Sequence, residues 1–358
     1  MPLVGFSKTA PAFRPPPTGK RAECSCHLSA TGCHPLAIPW RAPEGEFCSV
    51  LSVPGGQRWA RQAAVTPAKF PSMILVTGAT GQLGSATIDF LLKKLPAAHI
   101  AGLARDEQKA TWLRAKGVTV RLGSYDDAPS LAAAMQGVDK VLLIAGTDEE
   151  RRVQQHQNVV DAARQAGVGF IAYTSRTLKD RATMANKLME GHFQTEEVIK
   201  ASGLAYSLFR NVLYMDVLPQ FVGPQVFDAG IILPAGQGRV PFALRREMGE
   251  ALANALAAEG LPKPVYQLTG RASYSFADVA AALAELSGKP VAYAPAEVSA
   301  FAQGLKGRGL PDVVVERITG FITDIKNGQE DEVSPDLERL LGRQPASLHA
   351  GLKELYQL

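Results

Sequence analysis

Residues 73–84, Met-Ile-Leu-Val-Thr-Gly-Ala-Thr-Gly-Gln-Leu-Gly, constrain this chain more than any other stretch. Ile74-Leu75-Val76 is short, apolar and branched, as a buried strand would be. Gly78, Gly81 and Gly84 follow at a spacing of three, and Ile88, Leu91, Leu92 and Leu95 then recur at i, i+3, i+4, i+7. That period predicts a helix over 85–95 and puts the glycines on the turn between strand and helix. A phosphate cradle needs this context. Glycine lets backbone approach a pyrophosphate with no Cβ in the way, while the first N–H groups and the dipole of the helix face the negative charge. Thr77, Gly78, Thr80, Gly81, Gln82, Leu83 and Gly84 are therefore candidate cofactor-binding residues.

The end of the next strand bears on which dinucleotide binds. His99-Ile100-Ala101-Gly102-Leu103-Ala104 reads as that strand, and it ends at Arg105. An acid there would bond the ribose 2′-hydroxyl of NAD, whereas a planar guanidinium pairs with the oxygens of the NADP 2′-phosphate. Arg105, with Lys109 one helical turn further on, points to NADP as cofactor. Asp106 would be the NAD-type acid if the register moved by one residue.

Strand-like and helix-like stretches alternate from there. A helix over 106–116 stops at Gly117, and Val118, Val120 and Leu122 alternate as a third strand. In the turn over 123–127, Ser124 or Tyr125 can border an adenine ring, although turn chemistry alone explains the composition. After a short helix over 129–136, Lys140 to Ile144 is a continuous apolar run, and Ala145-Gly146 lies at its carboxyl edge, where ligands sit in open α/β sheets. Packing of Ala145 and Gly146 against the nicotinamide ribose and a plain loop are equally good readings. A helix over 151–166 carries His156 on an exposed or half-buried face, and Phe170 to Tyr173 is the fifth strand. Tyr173, Thr174 and Ser175 at its end complete the candidate cofactor set.

Short connections with right-handed crossovers leave a Rossmann-type doubly wound parallel sheet as the economical α/β fold. Tyr206 to Phe209 adds a sixth strand, so 73–210 is the expected dinucleotide-binding core. Residues 211–358 read mostly as a small C-terminal α/β region covering substrate, with 301–310 and 318–325 as its roof.

Residues 1–72 are of another kind. They hold all four cysteines and 11 of the 24 prolines with no sustained period, and read as a disordered leader that is not part of the working protein, which would start at Met73. The C-x-C and C-H spacings do not match a zinc site, so no metal is expected. No apolar h-region marks a secretory signal; five arginines suit a transit peptide, but three glutamates count against one. The leader carries 8 Lys and Arg against 3 Glu, which leaves residues 73–358 at net −1 and without support for a nucleic-acid surface. No apolar run approaches the length of a membrane helix.

Ordinary short-chain dehydrogenases place a Tyr-x-x-x-Lys pair after the fifth strand, and none of the eight tyrosines here has lysine four residues on. The region instead holds Asn186 to Glu196, in which Lys187 and His192 are the groups able to orient or protonate an oxyanion. Beyond the sixth strand, Asn211 can donate and accept hydrogen bonds, and Tyr214 offers a flat face to an aromatic substrate. Lys187, His192, Asn211 and Tyr214 are the candidate catalytic residues.

Gly78 to Gly84, the Arg105 strand end, Phe170 to Ser175, His192 with Glu196, Leu208-Phe209-Arg210-Asn211 with Tyr214, and Ala235-Gly236-x-Gly238-Arg239 together resemble the NmrA-like, atypical short-chain dehydrogenase family. Within it the resemblance is to bacterial NADPH:quinone oxidoreductases of the short-chain type, and it runs from Met73 to the C-terminus. It implies NADPH on the glycine turn and Arg105, with hydride transfer to a quinone-like small molecule in the cleft. Ser124 departs from the acidic residue that such proteins often carry near the adenine. A cytoplasmic location, a homodimer and no nucleic-acid or membrane partner are the accompanying expectations. A phenolate product has little need of a strong general acid, which accounts for the missing tyrosine and lysine. The competing expectation is a non-catalytic NADP(H)-binding redox sensor of the NmrA type.

Overall fold

The computed structural model describes residues 72–258 and 263–358. The leader over 1–72, with its expected disorder and its cysteines, lies outside the described residues apart from Ser72. Strands β1 (Ile74–Val76), β2 (Ile100–Ala104), β3 (Thr119–Leu122), β4 (Lys140–Leu143), β5 (Phe170–Arg176) and β6 (Ala205–Asn211) alternate with helices α1 (Gln82–Leu91), α2 (Thr111–Ala115), α3 (Ala128–Ala134), α4 (Arg152–Gln165) and α5 (Glu190–Ala201). The sheet order is β3-β2-β1-β4-β5-β6 with every pair parallel, so the chain reverses direction of winding between β1 and β4. Ligands bind in such folds at the carboxyl ends beside that reversal.

Beyond β6 come α6 (Leu218–Val222), α7 (Val226–Ala229), β7 (Ile231–Leu233), β8 (Arg239–Val240), α8 (Arg245–Ala257), β9 (Val265–Leu268), β10 (Tyr274–Ser275) and α9 (Phe276–Ser287). The chain ends in β11 (Tyr293–Pro295), α10 (Val298–Gly307), α11 (Asp312–Lys326), α12 (Asp336–Leu341) and α13 (Leu348–Tyr356). Not all of this is cover. β9 pairs in parallel with β6 as the seventh strand of the main sheet, and α8 packs along α1. The small pairs β10–β8 and β11–β7 stand apart from it.

The central strands are buried on both faces, and alternate side chains feed two cores. Ile74, Val76, Leu142, Phe170, Ala172 and Phe209 face α1 and α8. Leu75, Val141, Leu143, Ile171, Tyr173 and Leu208 face α3, α4 and α5. No helix among the described residues is long and apolar enough to cross a membrane.

Candidate active site

The glycine turn has the geometry of an anion cradle. Gly78 takes φ +58°, a left-handed conformation that favours glycine. A Cβ at Gly84 would overlap the Gly78 carbonyl oxygen and come within 2.9 Å of the Ala79 Cα, so only glycine lets the helix start this close to the strand. α1 opens at Gly81 with no side chain capping it and no acid in its first turn. Its leading N–H groups are thus left for a ligand, and the positive end of its dipole is not offset by a carboxylate. Thr80, Gly81 and Gln82 are exposed there, while Leu83 anchors the helix in the core.

Arg105 stands exposed at the end of β2, with no hydrogen bond or ion pair to another described residue. Asp106 is occupied: its Oδ1 accepts from the backbone N–H of Gln108 at 2.8 Å and Lys109 at 3.4 Å, which caps the next turn. The acid therefore serves the helix and the guanidinium is the group left for a ribose phosphate. Lys109 is exposed nearby. An uncapped, acid-free helix start and an unpaired guanidinium at the next strand end fit NADP.

The end of β4 is braced from behind. The buried Thr77 hydroxyl accepts from the Ile144 N–H at 3.0 Å and is hydrogen-bonded to the Tyr125 hydroxyl, which donates to the Ile144 carbonyl at 2.9 Å. Burial pushes the Tyr125 phenol up, so it stays a protonated donor. The Tyr125 hydroxyl thus props the end of β4 from behind. Ala145 donates its N–H to Thr174 Oγ1 at 2.9 Å. Gly146 is gripped on both sides, its N–H donating to His156 Nε2 at 3.0 Å and its carbonyl accepting from Arg152 Nε at 3.2 Å. The backbone polar groups of Gly146 are therefore committed, and what it offers a cofactor is close contact. A Cβ there would meet Gln155 Oε1 at 3.1 Å.

His156 corrects the sequence reading, because it is wholly buried rather than exposed or half-buried. Its Nε2 accepts from Gly146, so Nδ1 carries the proton and donates to Thr195 Oγ1 at 2.9 Å, and Thr195 donates onward to the Gly191 carbonyl. Burial, with the positive charge of Arg152, lowers its pKa to about 3, so it is neutral. α4 is polar in sequence yet buries Arg152, Gln155 and His156 toward the strand ends. Hydrophobic periodicity treats such side chains as outward facing, which is why pattern alone misplaces them.

β5 directs alternate side chains to opposite faces. Tyr173 is buried and its hydroxyl lies 3.0 Å from Nδ1 of His192 on α5. Burial pushes the Tyr173 phenol up, so the hydroxyl stays protonated beside the His192 ring. Burial, then the charges of Arg152 and Arg176, holds His192 well below the ordinary histidine range. Ser175 donates to Glu196 at 2.6 Å, and Glu196 also takes both arms of Arg210 at 2.9 and 2.6 Å. The side chains of Tyr173, Thr174 and Ser175 thus tie β5 to α5 and to the loop after β4.

Asn211 ends β6, and its Nδ2 donates to the Tyr214 hydroxyl at 3.1 Å. One face of the Tyr214 ring is covered by the Arg245 guanidinium, 4.6 Å from the ring centroid. Arg245, at the start of α8, also bonds Gln82 of the glycine turn. It joins the glycine turn to the Asn211–Tyr214 end of the strand edge, a link invisible in a sequence where these positions lie far apart. Lys187 is not drawn in: it is exposed on the turn Lys187–Met189, with no polar partner for its ammonium among the described residues. Arg176 and Glu330, both buried, form an ion pair at the end of β5 that sequence reading missed.

A cavity of about 610 Å³ lies between α6, the start of β7 and α10, lined by Phe221, Ile232, Phe301, Leu305 and Ile318. Phe221 reaches the strand ends through Phe321, ring centroids 6.4 Å apart, and Phe321 lies on the Arg176 guanidinium at 4.8 Å.

Quinone oxidoreductase 2 of Escherichia coli is 35% identical over 287 residues, 80% of this chain and 99% of that protein. The crystal structure of the E. coli NADPH-dependent quinone oxidoreductase complexed with NADPH matches with a TM-score of 0.75 at 36% identity, over 79% of this chain and 100% of that one. Citrobacter sp. triphenylmethane reductase complexed with NADP(H) matches with a TM-score of 0.73 at 35% identity, over 79% of this chain and 99% of that one. Residues 71–355 match the NmrA-like family, and the chain belongs to it.

Proposed function

We propose that this protein is an NADPH-dependent oxidoreductase that delivers hydride to a quinone-like small molecule. The observation that carries the reading is the pairing of an uncapped, acid-free α1 start with an unpaired Arg105, while Asp106 is turned into its own helix. That pairing selects a dinucleotide with a 2′-phosphate, and the similarity to an NADPH-dependent quinone oxidoreductase supplies the acceptor class.

When bound, NADPH supplies two electrons and one hydrogen as hydride. A quinone that takes them becomes a hydroquinone monoanion, and one proton from solvent completes the hydroquinone. With Tyr173 donating to Nδ1, neutral His192 would donate from Nε2 and hold the acceptor oxygen while its charge grows. Tyr214 and the apolar cavity behind Phe221 and Phe321 offer surfaces for a flat ring. Lys187 is left with no catalytic part in this reading. The same reading takes the protein as a cytoplasmic homodimer, which cell fractionation and light scattering test.

Steady-state NADPH oxidation with 1,4-benzoquinone tests the function. Gly81→Asp is the control, because aspartate is a good helix N-cap at this position and yet places a carboxylate where the phosphates bind. The wild type is expected to turn over at least tenfold faster than Gly81→Asp at equal NADPH, since each lost phosphate contact weakens binding by about that factor. Wild-type binding of NADP without turnover above that control would leave the redox sensor as the reading.

A further inference from the structure

We infer that Arg176 and Asn211 form a donor–acceptor seat for a primary carboxamide, the one on the nicotinamide ring; the inference rests on the NADPH reading above. Strand pairing sets Arg176 of β5 directly beside Asn211 of β6, and register partners in parallel strands share one face of the sheet. Both stand at carboxyl ends, where ligands of this fold lie.

Each side chain has one group without a partner. Arg176 donates from Nε to the Thr177 carbonyl at 3.1 Å and from Nη2 to Glu330, while Nη1 is buried and unpaired. Asn211 donates from Nδ2 to Tyr214, while Oδ1 is buried and unpaired. Of the four such atoms among the described residues, these two stand on adjacent register positions. A buried donor or acceptor left unmade is costly, so a donor orphan beside an acceptor orphan points to a ligand that offers both complements.

A primary amide does so, its carbonyl accepting from Nη1 and its N–H donating to Oδ1. A phosphate or carboxylate has only acceptors and would set lone pairs against Oδ1. A quinone oxygen would satisfy Nη1 alone. Position agrees. The Tyr214–Arg245–Gln82 contacts put the pair on the same cleft as the glycine turn. β5 and β6 stand three and four strand spacings from β2, which ends in Arg105, or about 14 to 19 Å. That is the span of an extended dinucleotide whose 2′-phosphate sits at Arg105. Phe321 lies on the Arg176 guanidinium and the Tyr214 hydroxyl accepts from Asn211, and both rings turn on side-chain torsions.

The test compares NADP⁺ with its 3-acetylpyridine analogue, which keeps the carbonyl and lacks the amide N–H, by calorimetric Kd on the full chain. The wild type is expected to prefer NADP⁺ by about tenfold. Asn211→Leu removes the acceptor and is expected to erase that preference. Arg176→Lys keeps a cation facing Glu330 but loses the second N–H, and is expected to weaken both cofactors alike by about tenfold while the preference survives. Should Arg176→Lys not fold, Arg176→Met with Glu330→Gln removes the buried pair together and is read the same way. Equal wild-type affinity for the two cofactors overturns the seat. So does an Arg176→Lys protein with both Kd values unchanged and a raised KM for 1,4-benzoquinone, which would assign Nη1 to the acceptor. A wild type that binds neither NADP⁺ nor NADPH fails before any variant is made, and that result strikes the NADPH reading itself.

Discussion

Arg105 and Asp106 are chain neighbours with opposite charge, and what separates their roles is a hydrogen bond. Asp106 caps the turn that follows, which leaves the Arg105 guanidinium without a carboxylate partner and, in the proposed reading, open to a phosphate. Arg105→Ala is expected to cut the NADPH over NADH affinity ratio by about 10- to 100-fold, the worth of one or two charge-assisted bonds. An unchanged ratio would mean that the 2′-phosphate lies elsewhere. The histidines make a second prediction. His156 has an ordinary pKa near 6.5 in the unfolded chain and about 3 in the folded one, so between those values the unfolded state binds more protons. Stability therefore rises with pH across that window and is lost as pH falls from 6.5 toward 3. Between pH 6.5 and 5 denaturant titration should show about 1.6 kcal/mol more loss in the wild type than in His156→Gln, the slope reaching about 1.4 kcal/mol per pH unit once the unfolded imidazole is fully protonated. His192 is lowered too, so kcat should show no histidine limb near pH 6.5. The place of Arg105, exposed at the end of β2, was legible because the strand before it is marked by its apolar run. His156 was not, because a buried polar residue on a polar helix leaves no trace in the hydrophobic pattern.

At the scale of elements, the strands and helices of the first half were legible from period and punctuation, and what the helices touch was not. α1 looks like a helix laid on its own strand. In the fold it also packs along α8, and Gly249 is where the two meet: a Cβ there would stand 2.8 Å from the Ala86 Cβ and 3.0 Å from the Thr87 N. Gly249→Ala must push the helices apart, at a cost of about 1 to 3 kcal/mol typical of overpacking. Because the start of α1 is the proposed phosphate cradle, the same shift should disturb cofactor binding. The expected result is a lower Tm together with a raised NADPH Kd. A lower Tm with unchanged Kd would show that the cradle is set by the Gly78–Gly84 turn alone. Sequence cannot anticipate this contact, since the partner helix lies more than 150 residues downstream and its apolar stripe would suit many surfaces.

For the whole molecule, the division into a core over 73–210 and a cover after it follows the chain but not the sheet. β6 would end the sheet if the core stopped there. Instead β9 pairs along it, and Tyr266 stacks on Phe209 at 4.9 Å with the rings 2° from parallel. α8 covers α1 on the same face, and Leu268 and Phe242 enter the same apolar cluster as Phe170 and Phe209. Long-range strand pairing of this kind is set by tertiary packing, and a four-residue strand such as Val265–Leu268, Val-Tyr-Gln-Leu, fits a cover strand as well as a core strand. A fragment of residues 73–213 would therefore expose one edge of β6 and the α8-facing side of α1. It is expected to show helix by circular dichroism without a cooperative melt, and to aggregate through the open edge. The full chain should unfold from α1 to β9 in one transition, moved upward as a unit by NADP⁺. A fragment that melts cooperatively and binds NADP⁺ would restore the boundary at residue 210 and make β9 and α8 accessories. Failure of the fragment with a single full-length transition would mean that the cofactor site and its cover share one stability, so that a substitution as distant as Gly249 is felt at the phosphate.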